Sequence, residues 1–187
     1  MRGIIGIDPG KKGGISLVTE DNAVLYINDF SNDHELIRNR LLDIIRMFPF
    51  VEIESVFLEA PISVGTNRTI NNNLFFINGF ITGVAESIGL KVIRTNPMHW
   101  KKVMGVTSDK STSIQKALEL FPTVADEVNY AHGSYKDGLA ESLLIAYYGL
   151  HLNKFYPETS QIKKRTKDKF KQKEIEIWEY GLHRLCL

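Results

Sequence analysis

The sequence lacks the cysteines that a disulfide-stabilised protein needs. Its one cysteine, Cys186, is the next-to-last of 187 residues, so no disulfide can form within the chain. Met1 and Arg2 are followed by strand-like residues and then by Asp8, which is unlike the apolar stretch of a secretory leader. Both observations lead us to expect a cytoplasmic protein.

Long apolar runs and a strong net charge are also missing. The longest uncharged stretch, Thr69–Ala85, contains four asparagines and is too short and too polar to span a membrane. The net charge is +1, but seven Lys or Arg and one Asp lie in Lys163–Lys173, so this segment carries +6 and the rest of the chain −5. We interpret the segment as an electrostatic arm for DNA, or alternatively as a stretch that only keeps the C-terminus soluble.

Hydrophobic patterning predicts one α/β domain with a mixed five-stranded sheet and helices on both faces. Three short apolar strands follow one another near the start, as in an antiparallel meander: Gly3–Asp8, Ile15–Val18 and Val24–Ile27. Two later strands, which end at Glu59 and Arg94, alternate with segments of helical periodicity. We expect this domain to cover residues 1–152 and a basic C-terminal extension to cover 153–187.

Later in the chain the helix boundaries are less sharply marked. Ser111 or Thr112 is the expected N-cap of one helix, and Pro122 ends that helix. Residues 123–135 resemble a loop, and the last strong helix is predicted to start near Ser134 and to end at about Leu152.

The most informative stretch is an apolar strand that ends in Asp8 and is followed at once by the turn Pro9-Gly10. A buried strand has little reason to end in an unpaired carboxylate, because burying an isolated charge is costly. We therefore interpret Asp8 as a metal ligand or catalytic acid. The alternative is that Asp8 only caps the turn.

Three further acids are predicted to lie close to Asp8. Glu59 ends the fourth strand, and if that strand lies parallel beside the first, both carboxylates reach the same sheet edge, where α/β proteins bind ligands. Asp137 and Glu141 are four residues apart, which places them on one face of the last helix. Taken singly, each of these three acids is typical of a solvated surface, so their interpretation depends on the shared edge.

Four converging carboxylates, without a neighbouring histidine pair or cysteines, favour a hard cation. Mg²⁺ and Mn²⁺ prefer oxygen ligands and keep open positions for water and phosphate. Two such ions could activate a water molecule and stabilise the leaving oxygen of a phosphodiester. The sequence therefore favours Mg²⁺, or Mn²⁺ in its place, as one or two ions at this sheet edge.

The residues around these acids resemble the RuvC-like Holliday junction resolvases, and in particular those carried by bacteriophages. Three stretches carry the resemblance in chain order: Gly6-Ile7-Asp8-Pro9-Gly10, Leu58-Glu59-Ala60 and Lys136-Asp137-Gly138-Leu139-Ala140-Glu141-Ser142-Leu143-Leu144-Ile145-Ala146. The first stretch alone is a weak signal, whereas the three in this order are specific.

The resemblance implies the ribonuclease H-like fold over roughly residues 3–152. It implies that two magnesium ions are bound by Asp8, Glu59, Asp137 and Glu141. It also implies a homodimer that cuts two strands of a four-way DNA junction and leaves 5′-phosphate ends, in the cytoplasm of a bacterial host if the protein is phage-encoded.

Two departures from the family pattern concern the last pair of acids. The family's final acid is usually Asp, whereas Glu141 is one methylene longer. In the bacterial branch the last two acids are three residues apart, which would place the first at Gly138 instead of Asp137. Because both spacings lie on one helix face, the site can still form.

DNA binding by an acidic body requires local cations. Lys110 matches a lysine that the family places near its active site, just ahead of a helix, and Lys101 lies in a segment where the family also carries basic residues. The further candidates are Lys11, Lys12, Lys102 and Arg68. For each of them a solvated surface position is the alternative.

Aromatic residues near the predicted cleft are open to two interpretations. Phe75 and Phe76 follow Glu59 on a helix whose family equivalent forms part of the DNA and dimer surface. A phenylalanine there could stack on an unpaired base, but packing in the core is the simpler interpretation. His132, shortly before Asp137, is a weaker candidate for proton transfer.

Three alternatives to a junction resolvase remain open at this point. One is another ribonuclease H-like nuclease, acting on RNA–DNA hybrids or on a different branched substrate. A second is an actin-like phosphotransferase, which also begins with a Gly-Ile-Asp strand and turn but needs a second lobe. The third is a DNA-binding relative without catalysis, and loss of one of the acids would be its expected signature.

Overall fold

The computed structural model describes residues 1–30, 33–61, 68–129 and 137–152, with the side chains of residues 68–71 and of Asn129 excepted. Our predictions for the extension 153–187, including its basic segment, and for His132 lie outside the described residues.

The described residues form five strands and six α-helices. In chain order these are β1 (Arg2–Asp8), β2 (Gly14–Thr19), β3 (Val24–Asp29), α1 (His34–Met47), β4 (Glu52–Glu59), α2 (Arg68–Ser87), β5 (Val92–Thr95), α3 (Pro97–Met104), α4 (Lys110–Leu120), α5 (Ala125–Asn129) and α6 (Asp137–Leu150). A 3-10 turn, Pro122–Val124, joins α4 to α5.

All five strands lie in one sheet, in the order β3-β2-β1-β4-β5. Strands β1, β2 and β3 are antiparallel neighbours, whereas β4 is parallel to β1 and β5 is parallel to β4. The predicted mixed sheet is therefore confirmed. Because β1 and β4 are parallel, with Ile7 paired to Leu58, their last residues, Asp8 and Glu59, reach the same sheet edge.

Helices α1 and α2 cover one face of the sheet with a continuous apolar core. Alternate strand residues point to this face, among them Ile5 and Ile7 of β1 and Val56 and Leu58 of β4. They pack against apolar residues at helical spacing: Ile37, Leu41, Ile44, Ile77 and Ile81. Burial of these side chains supplies the main stabilisation on this side, at about 25 cal/mol for each Å² of apolar surface removed from water.

Helix α6 covers the opposite face at close range, because glycines remove side chains where the helix crosses the strands. A Cβ on Gly6 would lie 2.1 Å from the carbonyl oxygen of Ser142. A Cβ on Gly14 would lie 2.3 Å from the carbonyl oxygen of Gly138. A side chain at either strand position would force the helix away from the sheet. This close packing brings Glu141 over the end of β1.

Several predicted boundaries are wrong in detail. Asp109 caps α4 in place of Ser111 or Thr112, because its Oδ1 accepts the backbone N–H of Ser111 at 3.0 Å. Residues 123–129, predicted as part of a loop, belong to the 3-10 turn and to α5, with Val124 and Val128 buried. Strand β5 ends at Thr95, one residue later than predicted.

Within the described part of the chain, none of the helices combines the length and the apolar character that crossing a membrane requires.

Candidate metal centre

Asp8 and Glu59 lie on the face of the sheet that α6 covers. In β1 the side chains of Ile5 and Ile7 enter the core on the α1–α2 side, so the alternation of the strand turns Asp8 to the opposite side. The same alternation in β4 places Glu59 on that side, one residue after Leu58. The common edge and the common face together bring the two carboxylates close to each other.

Glu141 completes a compact group of acids. It lies one turn into α6, where the helix crosses β1, and it is nearly buried. One carboxylate oxygen from each of Asp8, Glu59 and Glu141 lies within 4.8 Å of the other two. Three of the four predicted ligands are therefore brought together by elements that are far apart in sequence.

The negative charge of this group is only partly compensated by its neighbours. Burial raises the pKa of Asp8 well above its ordinary value, and the charges of Glu59 and Glu141 raise it further, whereas the backbone N–H of Gly10 lowers it. Gly10 donates to Asp8 Oδ1 at 3.0 Å. Burial and then repulsion from Glu141 raise the pKa of Glu59 to about 7.

A divalent cation fits this donor set. The group offers carboxylate oxygens alone, which hard ions such as Mg²⁺ and Mn²⁺ prefer to softer metals. Burial and mutual repulsion raise the pKa values of Asp8 and Glu59 more than the hydrogen bonds of Gly10 and Trp100 and the charge of Lys101 lower them. A bound cation would favour their ionised forms, because an opposite charge lowers the pKa of a carboxyl group.

Asp137, the fourth predicted ligand, lies beside this group. Among the described residues, the close cluster contains three acids and does not include Asp137. Asp137 is the first residue of α6, and its Oδ2 forms an ion pair with the ammonium of Lys110. It nevertheless lines the same cavity as Asp8 and Glu141.

The spacing of the bacterial resolvases would place this acid at position 138, and a steric contact explains why this chain has it at position 137. A Cβ on Gly138 would lie 1.9 Å from the backbone carbonyl oxygen of Lys12, in the loop after β1. No side chain fits there without moving the loop or the helix. This contact excludes an acid at the three-residue spacing from Glu141, and the chain carries Asp137 at the four-residue spacing instead.

Two donors that sequence reasoning did not pair with an acid hold Glu141. Lys101 Nζ donates to Glu141 Oε1 at 2.7 Å, and the buried hydroxyl of Ser113 donates to the same oxygen at 3.2 Å. Lys101 was predicted as a DNA-binding residue, and the structure adds this direct contact with a candidate ligand. Ser113 was missed, because a serine inside a helix carries no sequence signal of its partner.

Trp100 was also missed. Its indole Nε1–H donates to Glu59 Oε2 at 2.8 Å, and the side chain is completely buried. In the run Trp100-Lys101-Lys102, only the two lysines were predicted as site residues. Nothing in the sequence indicates that α3 packs its tryptophan against the end of β4.

A cavity of about 400 Å³ opens over the acids and contains most of the predicted cations. Its described lining includes Lys11, Lys12, Lys101 and Lys110 together with Asp8, Gly10, Ser108, Asp137 and Glu141. The backbone at Gly10 and the four lysines border the carboxylates, which provides positive charge at the mouth of an acidic site.

The remaining predicted cations are placed less centrally. Lys102 is exposed on α3 and borders a neighbouring cavity of about 350 Å³ with Met98 and Lys101. Arg68 is the first residue of α2, and its side chain lies outside the described part of the structure.

Core packing of Phe75 and Phe76, the simpler interpretation of the sequence, is wrong. Their side chains are 49% and 62% exposed. In α2 the core positions are taken by Ile77 and Ile81, so the preceding phenylalanines point away from the sheet. The Phe76 ring contacts the His34 ring edge-on, with centroids 5.2 Å apart.

Comparison with known proteins yields matches among solved structures. No protein-family model and no curated protein matches the chain. RuvC of Thermus thermophilus in complex with a Holliday junction substrate superimposes with a TM-score of 0.60 at 17% identity, covering 82% of this chain and 96% of that one. The yeast mitochondrial Holliday junction resolvase Ydc2 gives 0.54 at 12% identity, covering 87% and 83%. The chain therefore has the ribonuclease H-like fold in the form found in RuvC.

Proposed function

We propose that the protein is a structure-selective endonuclease that resolves four-way DNA junctions, or other branched DNA, by Mg²⁺-dependent hydrolysis. The observation that carries this proposal is the group formed by Asp8, Glu59 and Glu141, whose three carboxylate oxygens lie within 4.8 Å of one another, with Asp8 and Glu141 lining a cavity bordered by lysines. The fold supports it, because two solved structures with this fold are named as Holliday junction proteins.

The reaction proposed is hydrolysis of one phosphodiester bond in each of two strands. Two magnesium ions held by these carboxylates and Asp137 would activate a water molecule and stabilise the leaving oxygen. The water oxygen bonds to phosphorus, the bond to the 3′ oxygen breaks, and the products are a 5′-phosphate and a 3′-hydroxyl. In this scheme the acids are the ligands, and Lys12, Lys101 and Lys110 offset the negative charge of the substrate backbone.

The proposal includes a homodimer, because a four-way junction is resolved by two cuts. Helix α2 offers an exposed surface for DNA or for a second copy of the chain. Phe75 and Phe76 are exposed on it, and a Cβ on Gly79 or Gly83 would meet nothing within 4 Å. Open glycine positions permit close approach of a neighbour, and exposed phenylalanines permit stacking on unpaired bases.

One assay tests the proposed activity. A labelled four-way junction, a matched duplex and an RNA–DNA hybrid are incubated with the protein in Mg²⁺ and in chelator. We expect symmetric nicks near the crossover that need Mg²⁺. Asp8→Asn should reduce them by at least about 100-fold, because it removes a proposed ligand of the reacting ions. Glu59→Gln should lose cleavage but retain junction binding.

The matched control is Glu52→Gln, an exposed acid at the other end of β4, which should cleave normally. Equal cutting of duplex, or no cutting with either Mg²⁺ or Mn²⁺, would contradict the proposal. Preferred cutting of the hybrid would favour the related nuclease class instead. Loss of junction binding in Glu59→Gln would make Glu59 a structural residue.

A further inference from the structure

Trp100 is buried, and its one polar atom donates a hydrogen bond to a residue of the candidate metal centre. The indole of tryptophan has a single donor, Nε1–H, and no acceptor. In this structure that donor bonds to Glu59 Oε2 at 2.8 Å, and no part of the Trp100 side chain is exposed. The indole is therefore fixed by packing on all sides, while its one hydrogen bond points to a proposed metal ligand.

The position of Trp100 follows from the sheet. Thr95, the last residue of β5, pairs with Glu59 at the end of β4. Helix α3 starts two residues later, at Pro97, where Asn96 caps it by accepting the backbone N–H of Met98 at 2.9 Å. The fourth residue of α3 is then held directly beside the strand end.

Glu59 is fixed at both its backbone and its side chain. Its carbonyl oxygen accepts from Asn78 Nδ2 at 2.8 Å, which ties the end of β4 to α2. Its side-chain Oε2 accepts from Trp100. Within the described residues, Oε1 accepts no hydrogen bond, so one carboxylate oxygen is oriented and the other is left for a ligand.

The chemistry of the donor matters as much as its position. Glu141 is held by the ammonium of Lys101, and Asp137 by that of Lys110, so each of these acids has a cation beside it. The indole is neutral, and it orients Glu59 without cancelling its charge. A carboxylate that is oriented and still charged is the better ligand for a divalent cation.

We propose that Trp100 is a positioning residue for Glu59: its N–H holds one carboxylate oxygen and so fixes the orientation of the Glu59 carboxylate beside Asp8 and Glu141. The inference rests on the proposed function in that it takes Glu59 as a metal ligand. It gives the N–H group of Trp100 a role in metal affinity that is separate from the packing of the indole ring in the core.

The sharpest test replaces a single atom. The chain has two tryptophans, so Trp178→Phe provides a parent in which Trp100 alone remains. Incorporating 3-benzothienylalanine in place of tryptophan then exchanges the indole N–H for sulfur at nearly constant shape. Binding of Mg²⁺ and of Mn²⁺ is measured by calorimetry and by the metal-dependent rise in melting temperature, without DNA.

We expect the sulfur analogue to melt close to its parent in chelator but to bind Mg²⁺ about 10–100-fold more weakly, as is typical when a partner of a metal ligand is lost. Junction cleavage should show the same shift in its Mg²⁺ midpoint and should recover at high Mg²⁺. Met104→Ala, which removes apolar volume from the same buried helix face, should lower stability and leave the Mg²⁺ affinity within about two-fold.

Unchanged Mg²⁺ affinity in the sulfur analogue, with affinity lost in Asp8→Asn, would overturn the role of Trp100 and leave the proposed nuclease intact. Metal binding that weakens as expected in a protein that cleaves no DNA would support the positioning role and sink the nuclease. A parent that binds neither ion would overturn both.

Discussion

The two faces of the sheet differ in how they hold their helices. On the α1–α2 face, large apolar side chains such as Leu41 and Ile81 fill the space and are fully buried. On the α6 face, Gly6, Gly14 and Gly138 bring backbones into contact, and the charged cluster lies where the packing ends. Both faces bury apolar side chains, but the α6 face also brings backbones together at positions without a side chain, which fixes the height of the helix above the sheet. This difference predicts which substitutions change stability alone and which also change the site.

The largest effect is expected on the α6 face. Gly138→Ala places a methyl group 1.9 Å from the Lys12 carbonyl oxygen, and backbone atoms cannot yield as a flexible side chain can. We expect a loss of more than about 4 kcal/mol in the free energy of unfolding, together with loss of Mg²⁺ binding. Urea denaturation measures the first and calorimetry the second.

Gly83→Ala is the matched control, because a Cβ there meets nothing within 4 Å. It should raise stability by about 0.5–1 kcal/mol, since alanine is the better helix former. A Gly138→Ala protein as stable as wild type would mean that α6 does not lie as close to the loop as described.

Leu41→Ala tests the opposite face. Leu41 is fully buried in the apolar core, so its truncation should cost about 3 kcal/mol through lost burial and a residual cavity. The Mg²⁺ affinity of the folded protein should stay within about two-fold of wild type, because the cluster lies across the sheet. A fall of ten-fold or more would show that the two faces are coupled and would break the comparison.

The carboxylate cluster predicts that the free energy of unfolding decreases as pH rises. The pKa of Glu59 is raised from 4.5 to about 7, and that of Asp8 is raised as well. A carboxyl group with a raised pKa in the folded state contributes stability below pH 4.5 that is lost as pH rises through about 7. In chelator, we expect unfolding free energy to fall by about 2 kcal/mol over this window, after allowance for partial solvent screening.

Two comparisons check that expectation in thermal or urea unfolding. Asp8→Asn should flatten the pH profile, because it removes one of the titrating pair. Saturating Mg²⁺ should reverse the sign, because the ion binds the ionised carboxylates. A profile that is flat in wild type would show that the cluster is not buried as described.

The smallest effect concerns the cap that presents Lys110. Asp109→Ala removes the side chain that accepts the Ser111 N–H at 3.0 Å, so α4 should lose about 1 kcal/mol. Cleavage should fall only a few-fold, since Lys110 keeps its ion pair with Asp137. Asp109→Asn, which retains a cap, should restore both stability and rate. Failure of that rescue would mean that the charge of Asp109, rather than its cap, is what matters.

Sequence patterns predicted correctly the structural features that a single segment of the chain determines. Strand alternation turns Asp8 and Glu59 to one face, and a strand that ends in an acid before a proline is visible in the sequence. Exposure of Phe75 and Phe76 was not predictable, because apolar residues at helical spacing occur on both sides of α2. The cap at Asp109 was missed since Asp, Ser and Thr are all good N-caps.

Contacts between distant segments could not be predicted from residue types. The bond from Trp100 to Glu59 spans 41 positions and depends on the pairing of β5 with β4. The ion pair of Lys101 with Glu141 depends on how α3 lies against α6. A side-chain donor has many acceptors within reach in an unfolded chain, and only packing selects one.

The sequence by itself determined that this chain builds a mixed sheet and ends two of its strands in acids, because alternation and turn chemistry are local properties of the chain. Only the tertiary structure decided that Glu141 joins those acids while Asp137 pairs with Lys110, and that a neutral indole orients Glu59. The reason is steric: glycine contacts set the height of α6 above the sheet, and a carboxylate binds what lies within a few ångströms of it.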